Sequence, residues 1–134
     1  TGEGGSSSSG SSSSSSSSSE STEKSTSTSR EFVDYMNQKR AEAGVDALQW
    51  SDSLAATAKA RAEELISDYS HNGARDCGAE NIYSSSSASV SYVYGVFEGS
   101  TGHRNNMLSD AFTKAAAAYC QSGGKYYWVV LFDF

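Results

Sequence analysis

Nine consecutive residues, Ser100-Thr101-Gly102-His103-Arg104-Asn105-Asn106-Met107-Leu108, put an imidazole, a guanidinium and two carboxamides directly after an amphipathic segment. This mixture reads as a site rather than as packing. Gly102 can take backbone angles closed to other residues, which lets His103 project from a loop. Met107 and Leu108 anchor the polar group at the edge of a core. The nearest partners by type lie upstream, at His71 and Glu80. Spacing alone does not bring these three segments together; if they meet, two imidazoles and a carboxylate can bind a divalent transition metal, with His71 and His103 as ligands and Zn²⁺ the default for a nitrogen-rich set. They can equally form a metal-free cluster in which Glu80 orients one histidine. Ser100 beside His103 also permits a serine-nucleophile reading. No nucleophile elbow surrounds that serine, however, and its blander role is to cap a short helical turn near Gly102.

The elements that must position these groups follow from apolar periodicity. Phe32, Val33 and Met36 recur at helical spacing between Glu31 and Ala43, and Gly44 stops that helix. Val45, Leu48 and Trp50 form an apolar connection. Ser51 then caps a second helix whose inner face reads Leu54, Ala58, Ala62, Leu65 and Ile66, leaving His71 just past its end. Asn72 to Gly78 is loop. Glu80 to Tyr83 reads as a short extended piece, and Ser84 to Ser87 as a link that can start the next helix. Val90, Val93, Tyr94 and Phe97 give a third helix ending at Gly99. Ser122-Gly123-Gly124 marks a hairpin between Thr113–Gln121 and Lys125–Phe134. The second of these arms is aromatic and β-branched enough to be a central strand. Ala115 to Ala118 have weak strand propensity, yet the hairpin needs that partner. Helices followed by a terminal hairpin predict an α+β layered domain.

Composition bounds what such a domain does. Residues 1–29 contain no Leu, Ile, Val, Phe, Met, Trp or Tyr, and nine serines run from Ser11 to Ser19. That segment is expected to be a disordered Ser-rich tether, leaving residues 30–134 as one domain. A net charge of −6 and no basic stripe argue against nucleic acid as a partner. No apolar run approaches the roughly 20 residues of a membrane span. Cys77 and Cys120 are an even pair, read as one disulfide closing a loop of about 40 residues or as two buried thiols. The serine tether favours the disulfide, because it suits an extracellular setting.

In this order the residues resemble the CAP superfamily of cysteine-rich secretory, antigen 5 and pathogenesis-related proteins, in its bacterial SCP-like branch. The carrying residues are Asn37, Arg40, Gly44, Leu48 and Trp50, then Leu54 and Ala58, Ser70-His71, Glu80-Asn81-Ile82, the Ser100–Leu108 run, and Tyr127-Trp128 with Phe132. Departures are Ala79 for a glycine, Ala47 for a common proline and Phe97 for the usual bacterial tryptophan. Ser100 stands where animal and plant members carry a second glutamate, with Glu98 two residues earlier. The resemblance implies a three-layer α/β/α sandwich with a small antiparallel sheet, and a binding cavity of His71, Glu80, His103, Glu98 and Ser100. It also implies a secreted or surface-tethered bacterial protein, a monomer that binds an unknown ligand or a host or cell-surface protein. Lipid, glycan and peptide are the ligand classes. The alternatives are a metal-assisted or serine hydrolase and a scaffold without ligand.

Overall fold

The computed structural model describes residues 25–134. The proposed tether up to residue 24 lies outside the described residues. Its last part does not stay free, because Ser25–Thr28 forms strand β1 and pairs antiparallel with the first arm of the hairpin, Ser25 opposite Gln121 and Thr28 opposite Ala118. Beyond its backbone bonds, this Ser and Thr run contributes the Thr26 hydroxyl, which lies 2.8 Å from Glu63 Oε2 and 3.4 Å from Cys120 Sγ. Absence of apolar residues therefore did not exclude an edge strand.

Helix α1 (Arg30–Glu42) starts at Ser29, whose hydroxyl accepts from Phe32 N, and is followed by Gly44 at φ 77°. β2 (Gln49–Trp50) leads into α2 (Asp52–Glu64), where Ser51 caps through Leu54 N as its type predicts. β3 spans Ala79–Ser85, so Ser84 and Ser85 finish a strand rather than start a helix. Ser89 instead caps α3 (Val90–Glu98), and α4 (Thr101–Leu108) follows. The chain closes with β4 (Lys114–Ser122) and β5 (Lys125–Asp133). Gly123 and Gly124 sit at φ 60° and 80°, the backbone a two-residue type I′ turn demands.

The sheet runs β1-β4-β5-β3, antiparallel throughout, with β2 added parallel to β4. β5 is central, as its aromatic and β-branched run predicts. The alanines of β4 are strand and wholly buried. Their small side chains let helices approach both faces, so packing overrides weak propensity. Ala115 and Ala117 join Trp128, Val130 and Phe132 against α1, α3 and α4, whereas Ala116 and Ala118 join Val129 and Leu131 against α2. The result is the three-layer α/β/α arrangement. No helix of the described residues is long and apolar enough to cross a membrane.

Arg40, 1% exposed, ties the end of α1 to the rest of that layer. Its Nε donates to Asp46 O at 2.7 Å, and its Nη1 to Met107 O and Ser109 O at 2.8 and 2.9 Å. Asn37 brackets Leu48 by bonding both its N and O. Both residues are structural pins.

The disulfide expectation fails. Cys77 and Cys120 are free thiols. Cys120 stands opposite Tyr127, while Cys77 precedes Ala79, which stands opposite Phe132 on the same strand. The stretch of β5 from Tyr127 to Phe132 is about 17 Å at about 3.4 Å per residue, far beyond the roughly 4.4–6.8 Å between Cα atoms that a disulfide spans. Cys120 is core, and burial, followed by the nearby Glu80 and Asp133 charges, raises the pKa of Cys77 and leaves it a poor nucleophile.

Candidate functional site

The site is built on two consecutive residues of β3. Side chains alternate across a strand, so Glu80 and Asn81 leave opposite faces. Glu80 lies on the α2 side with Ile82, and Asn81 on the side of α3 and α4 with Tyr83. Each positions one of the two histidines.

On the α2 side, Arg61 grips the Glu80 carboxylate with two bonds, Nε to Oε2 at 2.6 Å and Nη2 to Oε1 at 2.9 Å. Both side chains are almost wholly buried, at 1% and 2% exposure. The same guanidinium reaches Glu64 Oε1 at 3.0 Å and Ser70 O at 2.8 Å, and Arg75 closes on Glu64 with two further bonds. These contacts stitch the loop after α2 to the helix. They also fix its path, since a Cβ on Gly73 would come within 2.6 Å of Arg61 Nη1 and 2.7 Å of Glu64 Oε1. The bonds to Glu80, and then to Glu64, raise the Arg61 pKa against the opposing effect of burial. Held in this way, Glu80 Oε1 meets His71 Nδ1 at 2.8 Å. A carboxylate only accepts, so Nδ1 carries the proton and Nε2 of the half-exposed ring is left as an acceptor facing water.

On the other side, Asn81, completely buried, donates Nδ2 to His103 O at 3.1 Å and accepts from Asn106 Nδ2 at 2.9 Å. It pins α4 to β3. The His103 ring then packs edge-on against Phe97, centroids 5.2 Å apart. Burial, and next the charge of His71, lowers the pKa of His103. The two imidazoles therefore flank the same strand and lie within electrostatic reach of one another.

Other expected members are not drawn in. Glu98 is exposed, and its charge acts on the Tyr94 phenol, which burial and then Glu98 push up to about 12. Tyr94 lies in the core, whereas Tyr92, two residues earlier on α3, is exposed. Ser100 holds the N-cap position of α4 by its backbone, yet its hydroxyl makes no capping bond. Arg104 and Asn105 are exposed, and α4 is tied down through its carbonyls by Asn81 and Arg40.

The donor set does not fit a metal. Both Glu80 oxygens are committed to Arg61 and His71, and a cation would have to take the carboxylate from a buried guanidinium. No cluster of three His, Cys, Asp or Glu able to hold an ion occurs among the described residues.

Sequence reasoning missed Arg61. The signal was present: it falls three residues after Ala58 and four before Leu65, on the buried stripe of α2. A cation at such a position calls for buried acceptors, carboxylate or carbonyl, and Glu80 is a carboxylate of the right type to supply them.

The fold matches solved structures at low identity, which establishes the fold alone. An outer surface protein of Borrelia burgdorferi aligns with TM-score 0.63 and 15% identity, covering 81% of this chain and 96% of that one. A cysteine-rich secretory protein of Staphylococcus aureus gives 0.60 and 15%, over 78% of this chain and 37% of its own. An extracellular SCP-domain protein of Bacillus anthracis gives 0.60 and 16%, over 78% and 40%. The chain thus spans about two fifths of the latter two. No curated protein matches it in sequence. The model of the CAP, or cysteine-rich secretory protein, family matches residues 33–132, most of the chain, so the protein belongs to that family.

Proposed function

We propose that this domain is a secreted or surface-attached module that binds a ligand between His71 and His103 and does not turn it over. The observation that carries the reading is the commitment of Glu80. A carboxylate held by Arg61 and bonded to His71 orients an imidazole well but is a poor general base, because proton uptake would break a buried ion pair. Ser100, the remaining candidate nucleophile, bonds neither histidine among the described residues. What the site offers is an outward acceptor on His71 beside a partly buried His103, which suits a ligand presenting hydroxyl or amide donors: a glycan, a peptide, a lipid headgroup or a segment of another protein. The structural neighbours described as outer surface or extracellular proteins support placement outside the cell.

Histidine side-chain resonances followed during titration with soluble glycans, peptides and lipid vesicles test this. Saturable shifts at His71 and His103 that vanish in His71→Ala are expected, and silence from both rings for every class contradicts the proposal. Turnover of an ester or peptide substrate that disappears in His103→Ala would establish the hydrolase alternative instead.

A further inference from the structure

The second fully buried arginine points to a site of a different kind. Arg40 has five N–H donors, and its three carbonyl bonds use Nε and Nη1. The Nη2 group is left over. Among the described residues no carboxylate forms an ion pair with Arg40, and Asp46, its closest neighbour in sequence past α1, contributes only its backbone oxygen. Among the described residues Tyr94 Oη is the one sealed side-chain polar atom without a partner, so Nη2 keeps a trace of accessible surface although Arg40 as a whole is 1% exposed. Arg40 instead lines a cavity of about 350 Å³ between the end of α1 and the start of β4.

The rest of the lining defines the chemistry. Phe112 gives an apolar wall, Lys114 a second cation, and Asp46 and Asp110 two carboxylates, whose charges favour the Arg40 cation without touching it. A plain anion placed there gains the guanidinium but meets the two carboxylates. A plain cation meets the reverse. A molecule carrying both charges satisfies each pole, with its carboxylate on Nη2, where charge-assisted bonds are strongest, and its ammonium on Asp46 and Asp110. We infer that this cavity binds a small carboxylate-bearing zwitterion of amino-acid size. The site is separate from the two histidines and does not depend on the reading given for them.

Titration of the full chain with glycine, β-alanine and γ-aminobutyrate, which space the two charges differently, and with acetate and methylammonium as single-charge controls, tests the inference. The Arg40 side-chain N–H signals and the amides of residues 110–114 report binding. At least one zwitterion should shift them saturably, about tenfold more tightly than either control, the scale of one charge-assisted contact. Asp110→Asn, a change at an exposed residue, should weaken the zwitterion severalfold and narrow its margin over acetate. Acetate binding as tightly as every zwitterion, no saturable response to any probe, or indifference to Asp110→Asn would overturn it.

Discussion

Arg61 and Arg40 occupy matched places, each in the last turn of a helix and each 1% exposed, yet they are satisfied in opposite ways. Arg61 is met by carboxylates and passes its order onward: Glu80 is fixed by it, and His71 is fixed by Glu80. Arg40 is met by three carbonyls and holds backbone together, with one amino group unbonded among the described residues. A buried cation paired with an anion becomes a lever on its neighbours. One paired with carbonyls has no anion of its own, which is the premise of the zwitterion site inferred beside it.

The comparison breaks most visibly at the ion pair. Glu80→Ala removes the buried partner of Arg61 and leaves only the half-exposed Glu64 as its anion, and is expected to cost about 3 kcal/mol, read from denaturant midpoints; a loss under about 1 kcal/mol would mean that Glu64 and water satisfy Arg61 without Glu80. Arg40→Met leaves three carbonyl oxygens without a donor and no stranded charge, so a smaller loss of about 1–3 kcal/mol is expected. If the order of these two variants were reversed, the contrast would be wrong. Gly73→Ala sharpens it further. The added methyl presses on Arg61 and Glu64, whose positions are held by their partners, and about 1 kcal/mol of overpacking follows, with no change at the Arg40 end.

The smallest effect is a pH dependence. The lowered pKa of His103 means that the unfolded chain binds the proton more readily. The stability His103 contributes is therefore complete above about 6.5 and falls as pH drops from there toward its folded-state value. A histidine titration should place its midpoint below the ordinary value, and His71→Gln should move it back upward by removing the second cause. An unmoved midpoint would show that His71 exerts no influence on that ring.

Much of the layered fold was legible because periodicity reports burial: Val90, Val93, Tyr94 and Phe97 named the inner face of α3, and the Gly-Gly turn named the hairpin. β1 was not legible, since Ser25–Thr28 joins the sheet through backbone bonds that carry no side-chain signature. The histidines and Glu80 were visible by type and family resemblance, but their support was not. Asn81 acts through a carbonyl of α4, a contact between residues 22 apart in sequence. The cysteine pair misled because parity says nothing about register, and the strands place the two thiols far apart along β5.

The central claim is that a chain from Arg61 through Glu80 sets the proton of His71. Nitrogen-15 spectra of the imidazoles, recorded well above the titration range of histidine, test it directly. The account predicts that His71 is protonated on Nδ1, with Nε2 bare, and that this preference is lost in Glu80→Gln. A His71 ring protonated on Nε2 in the unaltered protein would contradict it.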